Sequence, residues 1–317
     1  MFLSSDINYH ILPTKEYHQI WRNNISTPLN PEVVMRMRVD NRISDTNIHL
    51  AEFLYNVRFA TQEQIDKFLT ITEGKTMSPF QMEKMSSCRV INEFLVSEDK
   101  KAKFTRSPEY FRIYALDSGG RTLVVNLTNQ DNWWDWRLTD NITTIETVYR
   151  ELVYTDLYLN LLNSNLNDFK RNFMIRYGER YFTPGARANV MSPKGKENVL
   201  YFEVFYNADS EEKIRGLMER YESLSATNIW KKYSSRKPII VFIAEDDELC
   251  NKLLSKLSAA FEINNLRFTT FERMKKPLYS PGAMLKVGKE GNTDTLIPVS
   301  SPYLEKGTEG EAEEKSE

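Results

Sequence analysis

Apolar residues recur at helical spacing in the first part of the chain and in short continuous runs in the second. Leu50, Leu54 and Val57 make a stripe on a helix that begins near Ser44. Thr61-x-x-Gln64 has the form of a capping box, so a second helix follows with Ile65, Phe68 and Leu69 turned inward. Ser78-Pro79-Phe80-Gln81 offers an N-cap, a proline at the first helical position and a capping Gln. It predicts a third helix carrying Val90, Ile91, Phe94 and Leu95. Thr143-x-x-Glu146 predicts the cap of a long helix through Leu162, with Val148, Leu152, Leu159 and Leu162 buried. Asp209-x-x-Glu212 opens another, on which Ile214, Leu217, Met218, Tyr221 and Leu224 recur at helical spacing, and Asp247–Phe261 reads as one more. The runs Phe173–Phe182, Val199–Phe205, Pro238–Ala244 and Leu266–Phe271 read as strands. The fold class is α/β (α+β), its second half a mixed sheet flanked by helices.

Composition narrows the function. The 317 residues are 41% apolar and 12% aromatic, which supports packed cores. Net charge is −2, and Glu305–Glu317 alone carries −4, leaving +2 on the rest. A polyanionic partner would therefore need a local basic patch. Cys88 and Cys250 have no metal-ligand spacing, and His10, His18 and His49 form no cluster, so neither a structural zinc nor any other cofactor is expected. The longest purely apolar run, Ile239–Ala244, is far short of the roughly 20 residues of a membrane span. No secretory signal is evident at the N-terminus; a cytoplasmic protein is expected.

A basic segment with Lys100, Lys101, Lys103, Arg106 and Arg112 follows the third helix and leads into Tyr110–Ala115 and a Leu-Asp-x-Gly-Gly-Arg turn ending at Arg121. Three short helices, a basic hairpin and this turn resemble a winged helix-turn-helix, with Asp117 where such proteins usually have Thr. The resemblance implies that the third helix enters the major groove and the wing touches phosphate or the minor groove. Lys84, Ser87 and Arg89 are then the base-reading candidates, and Lys100, Lys101, Lys103 and Arg106 the phosphate contacts. The alternative is a winged module that binds protein. Trp133, Trp134 and Trp136 suit packing between modules better than base stacking.

The segment Ala186–Val190 followed by Val199–Phe205 resembles the metal-binding hairpin of restriction-endonuclease-like domains, which need an Asp on one strand and Glu-x-Lys on the next. Asn189 stands for the Asp, Glu203 keeps the Glu, and Phe205 replaces the Lys, so the site reads as vestigial and holds no metal. Lys213 or Arg215 as a migrated base partner, with Glu179 lending a carboxylate, is the way such a site would be rescued. Glu146, Glu151 and Asp156 on the long helix read as solvated or capping carboxylates.

Taken in order, Ala51–Leu69, Tyr114–Arg121, Arg150–Leu162, Phe202–Phe205, Tyr221–Leu224, Pro238–Ala244 and Arg267–Thr270 resemble the replication-relaxation family of plasmids and integrative elements, over roughly residues 42 to 272. That family is related to conjugative relaxases with a nuclease-like catalytic domain. The resemblance implies an N-terminal arm (1–41), a winged helix-turn-helix domain (42–128), a degenerate restriction-endonuclease-like domain (129–300) and an acidic disordered tail (301–317). It implies a non-catalytic, sequence-specific accessory protein that binds double-stranded DNA in relaxosome assembly, conjugative transfer or plasmid replication. A relaxase or replication initiator would be its protein partner, and a homodimer is left open. The alternatives are a Mg²⁺-dependent nickase or relaxase with a rearranged site, a winged-helix transcriptional regulator, and a purely protein-binding module.

Overall fold

The computed structural model describes residues 8–107, 109–128, 137–162, 166–171, 173–177, 180–191, 197–257, 263–291 and 293–299. Trp133, Trp134, Trp136, Glu179, the turn at Pro193–Lys196 and the acidic tail lie outside them. The chain is mixed α/β and divides into two compact units, residues 1–159 and 160–317. This division falls inside the long helix expected from Thr143 to Leu162, so most of that helix belongs to the first unit.

The first unit runs β1 (His18–Trp21), α1 (Pro31–Val39), α2 (Asp45–Val57), β2 (Phe59–Thr61), α3 (Gln62–Glu73), α4 (Pro79–Ser87), β3 (Ile91–Ser97), β4 (Arg112–Leu116), α5 (Ser118–Leu127) and α6 (Ile145–Leu162). Its sheet has the order β1-β3-β4-β2 and is antiparallel throughout. Residues 18–21, expected in an arm, thus form an edge strand of this sheet. Both capping boxes form: Thr61 and Gln64 satisfy each other's backbone at the start of α3, Ser78 and Gln81 at the start of α4. Gly74, left-handed at φ 67°, ends α3, where a Cβ would be strained.

The third helix is shorter than its apolar pattern predicts. It stops at Ser87, the chain turns through Arg89 at φ 56°, and Val90, Ile91, Phe94 and Leu95 lead into or lie on β3. Every residue of β3 is buried, so the run lacks the alternation that marks a half-exposed strand, and its period is ambiguous. The Leu-Asp-x-Gly-Gly-Arg motif is likewise not a turn alone but the start of α5. Asp117 caps that helix through the Ser118 amide. Gly119 and Gly120 let it sit against the preceding turn: a Cβ would lie 2.6 Å from the Arg89 carbonyl oxygen and 2.2 Å from that of Val90, respectively.

On α6 the capping hydroxyl is Thr144, bonded to the Thr147 amide at 3.2 Å, rather than Thr143. Val148, Leu152 and Leu159 are buried as expected, and Leu162 is half-buried. The α6 carboxylates have structural partners: Glu146 pairs with Arg150, Glu151 with Arg58, and Asp156 accepts from Tyr9 and Gln64.

The second unit holds a seven-stranded mixed sheet in the order β13-β12-β11-β10-β9-β8-β5. Its strands are β5 (Leu166–Lys170), β8 (Ala186–Met191), β9 (Glu197–Phe205), β10 (Ile239–Ala244), β11 (Leu266–Thr270), β12 (Leu285–Glu290) and β13 (Thr293–Pro298). The expected strand at Phe173–Phe182 is instead a small hairpin of β6 (Ile175–Tyr177) and β7 (Arg180–Phe182). Strands β9, β10 and β11 are parallel, joined by α7 (Glu211–Ala226) and α8 (Asp247–Ser255), because parallel neighbours need a crossover helix. The remaining pairs are antiparallel. Ser210, not Asp209, caps α7; Asp209 instead accepts from the Tyr206 amide and pairs with Lys213. Tyr201, Phe205, Phe242 and Phe268 pack with Ile214, Met218 and Tyr221 of α7 and Leu249 and Leu253 of α8 in one core. Side chains of this kind contribute about 1.5–3 kcal/mol each on full burial. Among the described residues no helix is long and apolar enough to cross a membrane.

Candidate functional site

The strand register separates the residues expected to share a metal site. Asn189 lies opposite Val199, and Ala186 opposite Phe202, which leaves Gly185 as the neighbour of Glu203. Asn189 is therefore four residues along the strand from that place, about 13 Å at the usual rise. Its amide donates to Glu197 at 2.8 Å, and its carbonyl oxygen is buried without a partner. Glu203 is 6% exposed and accepts from the Gly185 amide at 2.9 Å and the Tyr221 hydroxyl at 3.0 Å. Phe205 is fully buried, edge-on to Phe242 at 5.1 Å. Reading Asn189 as the first ligand position beside Glu203 is thus corrected by the register. Lys213 is held by Asp209 at 2.8 Å, and Arg215 is exposed on α7, so neither stands as a base partner in this structure. Among the described residues no three His, Cys, Asp or Glu side chains are grouped to hold a metal ion. Cys88 and Cys250 are both buried, and burial, helped by Asp247, pushes the Cys250 thiol up to about 12, which leaves it protonated and a poor nucleophile.

The expected DNA-contacting residues fall into two groups. Arg89 is not on α4 but in the turn after it. Its guanidinium spans both carboxylate oxygens of Asp117, at 3.0 and 2.8 Å, and donates to the Thr27 and Asn24 carbonyls at 2.7 and 3.1 Å. With Asp117 fully buried, Arg89 is a fastener of the fold, and its assignment as a base reader is withdrawn. Ser87 is exposed on α4 but donates to the Glu83 carbonyl at 2.9 Å and accepts from Arg22 at 3.2 Å. Arg106 is ion-paired with Glu83. Lys84, Lys100, Lys101 and Lys103 are exposed and have no ion pair among the described residues. Lys100 and Lys101 occupy the two central positions of a turn closed by the Ala102 amide on the Asp99 carbonyl at 3.1 Å. Asp99 also accepts from the Lys101 amide, so this turn is built by its own side chain.

Beyond these lysines, the loop that joins β3 to β4 forms one side of a cavity of about 760 Å³ with the starts of α3 and α4. Arg22 bridges Glu93 at 2.5 Å and Glu83 at 3.7 Å, and Arg112 lies 3.7 Å from Glu93. Burial and then the charge of Glu93 raise the Tyr114 phenol to about 12, against the opposing pull of Arg112. Sequence reasoning passed over Arg22 and Glu93, which are 71 residues apart and meet only through the β1–β3 pairing. Phe80 was legible only as part of a capping motif, yet its side chain is 75% exposed at the cavity's rim. No family model, curated protein or solved structure matches this chain.

Proposed function

We propose that this chain is a non-catalytic DNA-binding accessory protein of a mobile genetic element, acting in relaxosome assembly, conjugative transfer or plasmid replication. Its first unit is read as a winged helix-turn-helix. The order α2-β2-α3-α4-β3-β4, with β2, β4 and β3 adjacent in an antiparallel sheet, supports that reading. The second unit is read as a nuclease-type fold without a working site; its crossover-linked parallel strands support the first part and the separation of Asn189 from Glu203 the second. The resemblance carried by Arg150–Leu162 and the segments around it supports the mobile-element context.

The observation that carries the proposal is the set of exposed, unpaired lysines on α4 and the loop after β3: Lys84, Lys100, Lys101 and Lys103. Unpaired surface ammonium groups on a turn can neutralise phosphates without first breaking an ion pair. Duplex binding followed by fluorescence anisotropy across a salt series tests it. Wild type is expected to bind with a steep salt dependence, and Lys100/Lys101/Lys103→Ala to flatten the log–log slope by about 3. No duplex binding at low salt, or an unchanged slope in the variant, refutes the proposal. Mg²⁺-dependent cleavage that disappears in Glu203→Ala would instead establish the nickase alternative.

A further inference from the structure

The cavity beside α4 has a chemistry opposite to that of the lysine turn. We infer that this groove of the first unit takes a basic side chain, Lys or Arg, presented by an exposed segment of a partner protein.

Three observations carry this. The cavity has the size of a site for several side chains, at about 760 Å³. Its aromatic lining is available: Phe80 is 75% exposed, and Tyr110 and Phe111 from the loop are half-buried. Aromatic faces attract cations through the ring quadrupole, most strongly where water is partly excluded. The third observation is the balance of charge. The cavity's arginines are spent, Arg22 and Arg112 on Glu93 and Arg106 on Glu83. Glu63 and Asp66 are not: neither has a cationic partner among the described residues. Asp66 accepts only from neutral groups, the Gln62 amide at 3.1 Å and the Met77 backbone at 3.3 Å. The raised Tyr114 phenol reports the same field, since Asp66 adds to Glu93 in opposing its ionisation.

An incoming cation therefore finds two unneutralised carboxylates and aromatic walls. A phosphate backbone would find the same carboxylates and be repelled. Nucleic acid thus suits the lysine turn and a basic polypeptide suits the groove, so one loop would serve two partners from its two halves. Such a surface is what an accessory factor needs if it is to hold DNA and a protein together, but the groove's chemistry does not depend on the DNA reading.

The test uses the full chain and two fluorescein-labelled peptides that differ only in a central residue, Arg in one and Gln in the other, each flanked by Leu. Saturable binding of the Arg peptide is expected, with affinity lowered at least about tenfold in Glu63→Gln/Asp66→Asn and in Phe80→Ala, a contrast of about 1.4 kcal/mol. These substitutions are isosteric or exposed, and thermal melts superimposable on wild type confirm that the fold is kept. The Lys100/Lys101/Lys103→Ala chain is expected to bind the Arg peptide normally whatever happens to its DNA binding, which separates this inference from the preceding one. Equal binding of the Gln peptide, or no binding of the Arg peptide at millimolar concentration, overturns it. So does a gain of peptide affinity in Glu63→Gln/Asp66→Asn, or the finding that Phe80→Ala abolishes duplex binding while leaving the peptide unaffected.

Discussion

Arg89 and the Lys100–Lys103 turn lie in the same unit, separated by one strand, and on sequence grounds they belong to one DNA-facing surface. Their surroundings divide them. Arg89 spans a fully buried carboxylate, makes four hydrogen bonds to groups far along the chain and occupies a left-handed backbone position. Lys100 and Lys101 project from a turn that Asp99 closes with its own side chain, and their ammonium groups touch nothing charged among the described residues. A cation beside a buried acid is consumed by the fold, because the acid's desolvation has to be compensated. A cation on a self-sufficient turn costs the fold nothing and is free to meet a ligand.

That comparison breaks most readily at Arg89. Arg89→Ala leaves Asp117 buried without its counter-charge and is expected to destabilise the first unit by about 3–5 kcal/mol, a fall in Tm on the order of 10 °C. Arg89→Lys keeps the charge but loses the two-pronged geometry, so it should recover only part of this in the same thermal melt. If Arg89→Ala melts like wild type, the guanidinium is not the fastener described above. Gly120→Ala probes the same junction from the α5 side. Its Cβ would sit 2.2 Å from the Val90 carbonyl oxygen, a backbone atom that cannot swing away, so a loss of roughly 2 kcal/mol or more is expected in urea titration.

A smaller effect is expected from Tyr114, at the cavity. Its phenol is raised to about 12 in the folded chain, against about 10 when unfolded. The stability this represents is present in full below pH 10 and is lost as pH rises from 10 through 12, because the unfolded chain gives up the proton first. Tyr114→Phe should therefore narrow the stability gap to wild type across that window. A gap that stays constant from pH 9 to 12 would count against the buried, acid-flanked phenol. Smallest of all is the stability effect of Lys100/Lys101/Lys103→Ala, within about 0.5 kcal/mol for each site, so that any loss of DNA binding reads as lost contact rather than lost fold.

The second unit teaches the same lesson with carboxylates. Glu203 was singled out from sequence because it stands in a strand with an apolar neighbour at Phe205. Both lie on the face of β9 that packs in the core with α7, and Glu203 meets the Tyr221 hydroxyl there. A pattern of residue types can suggest a ligand set. Only the pairing register tells whether the ligands converge, and the β8–β9 register puts Gly185 where Asn189 was expected. The edge strands β5, β12 and β13 were also illegible. Their residues are largely half-buried or exposed, so no apolar run marks them, and they become strands only by pairing with neighbours already in place.

What the sequence determined by itself was local. The boxes at Thr61–Gln64 and Ser78–Gln81 formed because each cap needs only a residue three positions away. The run Ile239–Ala244 became a fully buried strand because nothing in it tolerates water. The tertiary structure decided the end of α4, the register of the hairpin and the partner of every buried charge. Asp117 reaches Arg89 across 28 residues and Glu93 reaches Arg22 across 71. The physical reason is that desolvation and ion pairing depend on which groups the fold brings within a few ångströms, and sequence distance carries no record of that.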